Sequence, residues 1–555
     1  MTFRILAVAL VGVPMSVSFA QGFDRPVDTQ STRSMVVARR GMVCTSQVVA
    51  AESGLAILRR GGNAFDAAIA TAAVLNVVEP MSTGIGGDAF VLAWVGNEKK
   101  LVGLNGSGRS ASTANVDHYR NKGYDHLPTF GPDTVTVPGA VHAWWTLHQK
   151  YGKLPFAELL VDAIHYAEEG FAVSEIIAAS WKGGLKHSEV SEFAENYLLR
   201  DGGGYRAPRL GEVFRQPDLA RTFRAIASGG VEEFYRGDLA RQLASYLESK
   251  GSLLRYGDFA QHESDWVEPV STSFKGYELY ELPPNGQGIM ALEMLNIMEG
   301  YDLKSLGHNS GEYIHLLAEA KKLAFADRAT YVTDPNVRPL PIETLISKEY
   351  AAKMRARIDR NRAGTFAEST LKAGSDTVYL CTADSDGNLV SFINSIYYGF
   401  GSGLVAKGTG ICLQNRGSMF SLEPDHLNRI EPSKRPLHTI IPAMIMTAGK
   451  PWFCFGVMGG DMQPQGHVQV MLNMVEFGMN PQEAGEAARM RETGGGVALE
   501  SGVGEEARAV LRAKGHELHE SPGGFGGYQG ILVDWDAGVY FGASDNRKDG
   551  CAVGY

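Results

Sequence analysis

The chain has 555 residues, of which 44% are hydrophobic and 21% charged, so it can bury a large core and is not a disordered protein. Its formal net charge of −10 argues against a nucleic-acid-binding protein, which presents a basic surface. The length allows one large globule or two to three domains.

The N-terminus has the pattern of a secretory signal peptide. Arg4 precedes a mostly apolar run over residues 5–17, and Ser18-Phe19-Ala20 then ends in a small residue before Gln21. We expect cleavage near Ala20 and a periplasmic or secreted mature protein; an uncleaved N-terminal anchor is the alternative. No later stretch has the ~18–20 apolar residues of a membrane span, so we expect no membrane partner.

Helical periodicity begins soon afterwards. Residues 46–78 form two amphipathic runs separated by Gly61 and Gly62, and Asn63 is the expected N-cap of the second run. Farther along, Asn309 and Glu312 have the spacing of a capping box and predict the start of a long helix. Other helical patterns cover residues 154–169, 239–250 and 481–490.

The chain becomes rich in strands from about residue 377. Residues 377–384 form one β-run, Asp386-Gly387 offers a tight turn, and residues 389–396 form the second strand of a predicted hairpin. Helices first and strands later suggest sheets that are covered by helices and built from both halves of the chain.

Cofactor and metal motifs are missing from the sequence. It has no dinucleotide or phosphate-loop glycine pattern at the required spacing. "HELHE" at 516–520 is not the HExxH zinc signature, and His516 and His519 are expected on a solvated face. We therefore expect no metal and no cofactor. The cysteines form no CxxC pair and are expected as small core residues without disulfides; they are Cys44, Cys381, Cys412, Cys454 and Cys551.

Thr377 stands at the head of the strand-rich region, behind the polar run Gly374-Ser375-Asp376. It is either an ordinary strand residue or the new N-terminus of a chain that is cut there. An N-terminal threonine is a self-contained nucleophile, because its α-amine, with a pKa of ~7.7–8.0, takes the proton of its own hydroxyl. The residues alone leave both alternatives open.

Several ordered blocks resemble the γ-glutamyltransferase family of N-terminal-nucleophile hydrolases over residues 41–555. They are "GGNAFDAAIATAAVLNVVEP", "STGIGGDAF", "LAEAKKLAFADR", "DTVYLCTADSDGN", "GFGSG", "KRPLHTIIPAM", "FGVMGGDMQPQGHVQ" and "YFGASDNRKDGCAVGY". The resemblance implies a four-layer αββα sandwich. It also implies self-cleavage between Asp376 and Thr377, giving a large subunit of residues 21–376 and a small subunit of residues 377–555.

The resemblance further implies a catalytic set. Thr377 would be the nucleophile, and Ser395 would orient its hydroxyl or tune its proton. Gly459 and Gly460 match a glycine pair whose N–H groups form an oxyanion hole in the family; a plain tight turn is the alternative.

The substrate-binding positions depart from the family pattern. Asn105 stands where glutathione-cleaving members have an arginine for the substrate α-carboxylate, and Arg109 either substitutes for that arginine or is a surface charge. Tyr397 replaces an asparagine, and Arg416 lies in the segment "QNRGSMF", which in the family supplies an acid for the α-ammonium group. His438-Thr439 replaces a pair of serines.

These departures leave three functions open. The first is an amide hydrolase or transferase of the glutathione hydrolase type, which passes a γ-glutamyl group from Thr377 to water or an amino acid. The second is an acylase for a dicarboxylic acyl group without an ammonium, such as oxamate or glutaryl, because Arg416 would repel an ammonium and attract a carboxylate. The third is a secreted binding protein that keeps the fold without the chemistry.

Overall fold

Two antiparallel sheets lie face to face between two layers of helices in the computed structural model, which describes residues 31–366, 376–521 and 523–555. One buried apolar cluster fills the space between the sheets. There are two larger clusters, and each lies between one sheet and the helices that cover it. These four layers confirm the predicted αββα sandwich. The predicted signal peptide, residues 1–20, lies outside the described residues.

The strands, in chain order, are β1 (Val36–Ala38), β2 (Gly41–Thr45), β3 (Asp88–Val95), β4 (Lys100–Gly106), β5 (Phe171–Ala172), β6 (Leu199–Asp201), β7 (Gly204–Arg206), β8 (Val213–Phe214), β9 (Asp265–Val267), β10 (Val270–Phe274), β11 (Tyr277–Glu281), β12 (Asp376–Asp384), β13 (Leu389–Tyr397), β14 (Ala443–Thr447), β15 (Lys450–Val457), β16 (Met490–Glu492), β17 (Val497–Leu499), β18 (Leu518–His519), β19 (Tyr528–Asp534), β20 (Val539–Ser544) and β21 (Cys551–Gly554).

The α-helices are α1 (Val48–Arg59), α2 (Ala64–Val78), α3 (Val116–Asn121), α4 (Ala140–Tyr151), α5 (Val161–Glu169), α6 (Glu175–Trp181), α7 (Ser191–Tyr197), α8 (Pro217–Tyr235), α9 (Asp238–Ser249), α10 (Tyr256–Ala260), α11 (Gly288–Met298), α12 (Leu303–Leu306), α13 (Gly311–Tyr331), α14 (Ile342–Leu345), α15 (Lys348–Arg355), α16 (Met462–Val475), α17 (Pro481–Glu486) and α18 (Glu505–Ala513).

Strands from both sides of Thr377 are mixed within each sheet. The first sheet has the order β21-β2-β12-β13-β3-β4-β9, and the second has the order β1-β20-β19-β15-β14-β11-β10. The hairpin β12-β13 therefore lies between β2 and β3, which precede it in the chain by several hundred residues. As predicted, the sheets are built from both halves of the chain.

The alternation of side chains along β12 places residues in two different layers. Val378 and Leu380 belong to the cluster under the helices, whereas Tyr379 and Cys381 belong to the cluster between the sheets. Both faces of the strand are buried, because this hairpin lies in the middle of the first sheet.

The predicted helix starts are partly right. Asn63 caps α2, since its Oδ1 accepts the N–H of Asp66 at 3.0 Å. The long helix α13, by contrast, is capped by Ser310, whose Oγ accepts the N–H of Tyr313 at 3.1 Å. Asn309 is outside the helix with φ of 53°, so its assignment as the cap was wrong by one residue. The helix expected over residues 481–490 is shorter than predicted: it ends at Glu486, and Met490 already belongs to β16.

Two other expectations concern single residues. His516 is buried rather than on a solvated face, because it packs against α13; only His519 of the pair is partly exposed. All five cysteines are free thiols, and Cys551 is half-buried whereas the other four lie in the core.

Among the helices of the described ranges, none is long and apolar enough to cross a membrane.

Candidate active site

Thr377 lies at an irregularity in the pairing of β12 with β13. Asp376 pairs with Tyr397 and Val378 pairs with Asn394, so Ser395 and Ile396 together stand opposite Thr377. Bulges of this kind re-aim side chains and are common beside active sites. Thr377 is fully buried, and its Oγ1 donates a hydrogen bond to Oγ of Ser395 at 3.2 Å.

Contacts between the two sheets bring β12, which carries Thr377, against β15, which leads to the glycine pair. Cys381 of β12 lies beside Cys454 of β15 in the cluster between the sheets. Two residues along, the Tyr379 ring packs so closely on Gly456 that a Cβ there would lie 2.4 Å from it. The two strands thus run in opposite directions across the layer, so the end of β12 that carries Thr377 lies toward the end of β15 that leads to Gly459.

Gly459 and Gly460 form the turn between β15 and α16. Their φ angles are 108° and 60°, values that favour glycine over residues with a Cβ. Within the described ranges, neither N–H donates a hydrogen bond to the protein. Both donors lie at the start of α16, where the helix dipole favours negative charge. The pair can therefore bind an oxyanion.

A cavity of about 870 Å³ opens beside Gly459, and its wall includes Met458, Gly459 and Gly526. Arg547 and Lys548 also line it, but they form ion pairs with Glu500 and Glu79. Gly459 thus borders a space large enough for a small molecule, whereas Thr377, Ser395 and Arg416 are not part of its wall.

Arg416 is connected to Thr377 through Ser395. It begins a single 3-10 turn, Arg416–Met419, and is fully buried. Nη2 donates to Oγ of Ser395 at 3.2 Å, and Nη1 donates to Oγ1 of Thr439 at 2.7 Å. Among residues whose positions are described, no carboxylate forms an ion pair with Arg416. Burial lowers the pKa of its guanidinium to about 10, so the group remains charged at neutral pH.

Tyr397 supports both Ser395 and Arg416. Its backbone N–H donates to Oγ of Ser395 at 2.9 Å, and its ring lies 4.2 Å from the guanidinium carbon of Arg416. The stacking is a cation–π contact in a dry environment. Tyr397 has a φ of 79°, an uncommon value for a bulky residue and one that clusters at functional sites.

His438 and Thr439 point in different directions. His438 donates from Nε2 to Oδ2 of Asp88 at 3.0 Å and accepts the N–H of Ile440 at Nδ1. Burial, reinforced by Arg416, lowers the pKa of His438 to about 4, so the imidazole is neutral. Thr439 contacts Arg416 directly, whereas His438 positions the loop through Asp88.

Gln287 connects Thr439 to the glycine pair. Its Nε2 donates to the carbonyl oxygens of Thr439 and Gly460 at 2.8 and 2.9 Å. Its Oε1 accepts from Nη1 of Arg328 at 2.6 Å, and the same nitrogen donates to Oδ1 of Asp461 at 2.6 Å. Sequence reasoning missed Gln287, Arg328 and Asp461, although two of them lie in the quoted blocks "AFADR" and "GGDMQ".

Asp461 follows the glycine pair directly and is the acid closest to it in the chain. Burial works to raise the pKa of Asp461, but the ion pair with Arg328 outweighs this effect and the pKa is lowered. The carboxylate is therefore ionised, and both of its oxygens accept hydrogen bonds from Arg328.

Asn105 and Arg109 do not contact this cluster. Asn105 donates to Oδ1 of Asn285 at 2.8 Å. Arg109 is partly exposed and donates to Asp265 and to the carbonyl oxygen of Glu263. Thr377, Ser395, Tyr397, Arg416, Thr439 and Gly460 belong to one hydrogen-bonded network, and these two residues lie in a neighbouring one.

The arrangement of a threonine hydroxyl, a glycine pair and a four-layer sandwich agrees with a comparison with protein families. The family model described as gamma-glutamyltranspeptidase matches residues 50–555. The chain belongs to the gamma-glutamyltranspeptidase family. It is therefore an enzyme of this hydrolase family, and the prediction of an enzyme is confirmed over that of a binding protein.

Relatives within the gamma-glutamyltranspeptidase family carry different names. The chain is 40% identical to the glutathione hydrolase-like YwrD proenzyme of Bacillus subtilis, over 94% of this chain and 99% of the relative. It is 35% identical to the oxamate amidohydrolase proenzyme of Klebsiella pneumoniae, with the same coverage of 94% and 99%. The crystal structure of a cephalosporin acylase from Bacillus halodurans superimposes with a TM-score of 0.89, 44% identity and coverage of 96% and 98%.

Proposed function

We propose that this enzyme hydrolyses amides whose acyl group ends in a carboxylate and carries no ammonium, with Thr377 as the nucleophile. One observation carries the proposal. Arg416, a buried cation without an anionic partner among the described residues, donates a hydrogen bond to Ser395, which in turn contacts Thr377. An oxamate- or glutaryl-type acyl group has a carboxylate that could pair with Arg416.

The nucleophile is made by processing of the precursor. The hydroxyl of Thr377 attacks the carbonyl carbon of Asp376, the peptide C–N bond breaks, and water hydrolyses the resulting ester. The products are the carboxylate of Asp376 and a free α-amine on Thr377. This amine is the base for the later reaction, because its pKa of ~7.7–8.0 leaves much of it unprotonated near neutral pH.

Turnover repeats the same chemistry on the substrate. The α-amine takes the proton of the Thr377 hydroxyl as its oxygen attacks the amide carbonyl, and the N–H groups of Gly459 and Gly460 hold the oxyanion. The amide C–N bond then breaks, and the proton passes to the leaving amine. Water hydrolyses the acyl ester on Thr377, releasing the acid. An amino acid in place of water would give transfer.

Two N–H donors give Ser395 a defined role in these steps. The backbone N–H of Tyr397 and Nη2 of Arg416 both donate to its oxygen and together hold the Ser395 hydroxyl in place beside Thr377. When the Ser395 proton is directed at the Thr377 oxygen, it stabilises that oxygen as the Thr377 proton leaves.

The charges around the network favour a carboxylate over an ammonium. Nη2 of Arg416 can be no more than 6.4 Å from Oγ1 of Thr377, because both atoms contact Ser395 at 3.2 Å. A substrate carboxylate would satisfy this guanidinium, whereas an ammonium would meet repulsion. The acid that could bind an ammonium beside the glycine pair, Asp461, is already paired with Arg328.

A γ-glutamyl amide, the substrate type of glutathione hydrolases, is the second candidate. It is favoured by the name of the Bacillus subtilis relative and by the partial exposure of Asp461, whose side chain is 14% accessible. For this candidate, Asp461 would have to leave Arg328 and pair with the substrate ammonium.

The deciding experiment compares two chromogenic amides that differ in one group. Glutaryl-p-nitroanilide and γ-glutamyl-p-nitroanilide have the same length, and only the second has the ammonium. We expect the wild-type kcat/KM for the glutaryl compound to be higher by about tenfold or more, since an unpaired charge in a desolvated site costs ~2–5 kcal/mol. A wild type that prefers the γ-glutamyl compound contradicts the proposed acyl specificity.

The predicted signal peptide adds a location to the proposal. Cleavage near Ala20 would deliver the enzyme to the periplasm or the medium, where external amides are accessible. N-terminal sequencing of the mature large subunit tests this directly, and a first residue upstream of Ala20 would contradict it.

A further inference from the structure

Helices α13 and α18 meet on the outer side of the second sheet, away from Thr377. A Cβ at Gly311 would lie 2.5 Å from Cβ of Val510, so glycine allows the two helices to approach closely. This contact brings the segment after α18 onto the face of α13 that carries His315 and Glu319. These two residues are four positions apart and share one helical face.

His516 completes a cluster of three buried side chains. One nitrogen of His315, one nitrogen of His516 and one oxygen of Glu319 all lie within 4.8 Å of one another. Nδ1 of His315 and Nε2 of His516 are 2.7 Å apart. Nε2 of His315 is 2.9 Å from the carbonyl oxygen of Asp359, which can only accept, so Nε2 carries the proton and Nδ1 presents a lone pair to the cluster.

A backbone carbonyl that fixes the tautomer of a histidine is the usual support of a metal ligand. Two imidazoles and one carboxylate are a donor set that suits Zn²⁺ and leaves a fourth tetrahedral position for water. We propose that His315, Glu319 and His516 bind a divalent transition-metal ion, with Zn²⁺ as the best match. Binding requires His516 to move its proton from Nε2 to Nδ1, so that both imidazoles coordinate in the neutral form and no net proton is lost.

The cluster needs only a small adjustment to accept the ion. Two nitrogens bound to zinc at tetrahedral angles lie about 3.4 Å apart, so the imidazoles must separate from their present 2.7 Å by less than 1 Å. Glu319 accepts hydrogen bonds from Lys322 at 2.8 Å and from the N–H of Gly364 at 2.9 Å. Each carboxylate oxygen has a second lone pair, so these bonds do not block coordination.

Positive charges near the cluster oppose binding but are themselves paired. Lys322 interacts with Glu319, and Lys514 interacts with Glu312 at 2.9 Å. Because the two lysines and the two glutamates balance, the approaching ion meets little net charge. Two neutral imidazoles then supply most of the affinity.

The position of the cluster suggests what the ion would do. His315 and Glu319 precede the proposed cut at Thr377, whereas His516 follows it, so a bound ion would link the two subunits. The supporting groups of Asp359 and Gly364 lie near the end of the large subunit. None of the three ligands contacts the network around Thr377, and the ion would be structural rather than catalytic.

The test uses Zn²⁺ itself on the full-length purified protein after removal of metals with a chelator. We expect one Zn²⁺ per chain by elemental analysis after dialysis, and a higher midpoint of thermal unfolding with Zn²⁺ than without. His516→Gln should weaken Zn²⁺ binding by about tenfold or more. His519→Gln is the matched control, because it removes a partly exposed histidine three residues away and should bind Zn²⁺ as the wild type does.

Glu319→Gln provides a second variant if His516→Gln does not fold, and it should also weaken binding by about tenfold or more. Wild type without stoichiometric Zn²⁺, or a folded variant of either ligand that binds as tightly as His519→Gln, overturns the proposal. The uncleaved Thr377→Ala chain should bind Zn²⁺ equally well, so failure of this site is distinguishable from failure of the proposed processing.

Discussion

Arg416 and Ser395 form a hydrogen bond of 3.2 Å between Nη2 and Oγ, and Ser395 is the side chain that also contacts Thr377. A guanidinium is thus connected to Thr377 through a single hydroxyl. In the proposed mechanism Arg416 holds the acyl carboxylate and also orients the serine beside Thr377, which would link substrate selection to activation.

The first prediction concerns processing at Thr377. The mature protein should contain two chains of 356 and 179 residues, roughly 38 and 19 kDa from the average residue mass. Sequencing of the smaller chain should begin Thr-Val-Tyr-Leu-Cys. Thr377→Ala should remain one chain without activity, because one hydroxyl carries out both reactions.

Thr377→Ser is the control for that variant. It keeps the hydroxyl but loses the β-methyl that restricts χ1, so cleavage and turnover should both continue at reduced rates. Normal cleavage of the Thr377→Ala chain would show that another residue is the nucleophile.

The second prediction separates Ser395 from other buried hydroxyls. Ser395→Ala should slow both cleavage and turnover by several-fold to about tenfold, since a hydrogen bond contributes ~0.5–1.5 kcal/mol. Ser391→Ala is the matched control, because Ser391 lies on the same strand and bonds instead to the hydroxyl of Tyr379 at 2.6 Å. Cleavage time courses should be slow only for Ser395→Ala; equal slowing of both would point to a general loss of stability.

The third prediction identifies the arginine that binds the acyl carboxylate. Arg416→Gln should lower kcat/KM for glutaryl-p-nitroanilide by about 30-fold or more, equivalent to ~2 kcal/mol, and should shift the preference toward the γ-glutamyl compound. Arg109→Gln should change neither kcat/KM for the glutaryl compound nor the preference between the two compounds, because Arg109 is paired with Asp265 outside the network. The reverse result would assign the carboxylate to Arg109.

The fourth prediction is a pH dependence of stability. The pKa of His438 is lowered by burial from 6.5 to about 4, so between these values the unfolded chain binds a proton that the folded chain does not. The free energy of unfolding should therefore fall as the pH decreases below 6.5, by about 2 kcal/mol for this residue between pH 7.5 and 5. Urea unfolding of the single-chain Thr377→Ala protein at pH 7.5 and pH 5 measures this difference in the free energy of unfolding.

His438→Asn should reduce this pH dependence, because asparagine can still donate to Asp88 but does not titrate. An unchanged slope in that variant would assign the effect to other buried histidines, such as His467, whose pKa is also lowered by burial, to about 3.

Local patterns were sufficient to predict the parts of the fold that depend on short segments. The hairpin β12-β13 and the cap of α2 follow from turn residues and side-chain periodicity within about ten positions. The αββα layers were predicted only through the family resemblance, because periodicity does not say which sheet a strand joins.

The supporting residues of the site were beyond such patterns. Gln287 connects to Gly460 across 173 positions of the chain, and His315 meets His516 across 201. These contacts arise when whole layers pack together, and no local spacing records them. The expectation that His516 would be solvated failed for the same reason, since α13 covers it.

The mixed strand order has a consequence for how the enzyme can be assembled. Without the hairpin β12-β13, the first sheet would have a gap between β2 and β3, leaving two open strand edges that invite aggregation. The large subunit produced without the small subunit should therefore be unstable and prone to aggregation. For the proposed cut at Thr377, we therefore expect folding to be complete before cutting, so that the appearance of the two chains on a gel would also report that the precursor has reached its native structure.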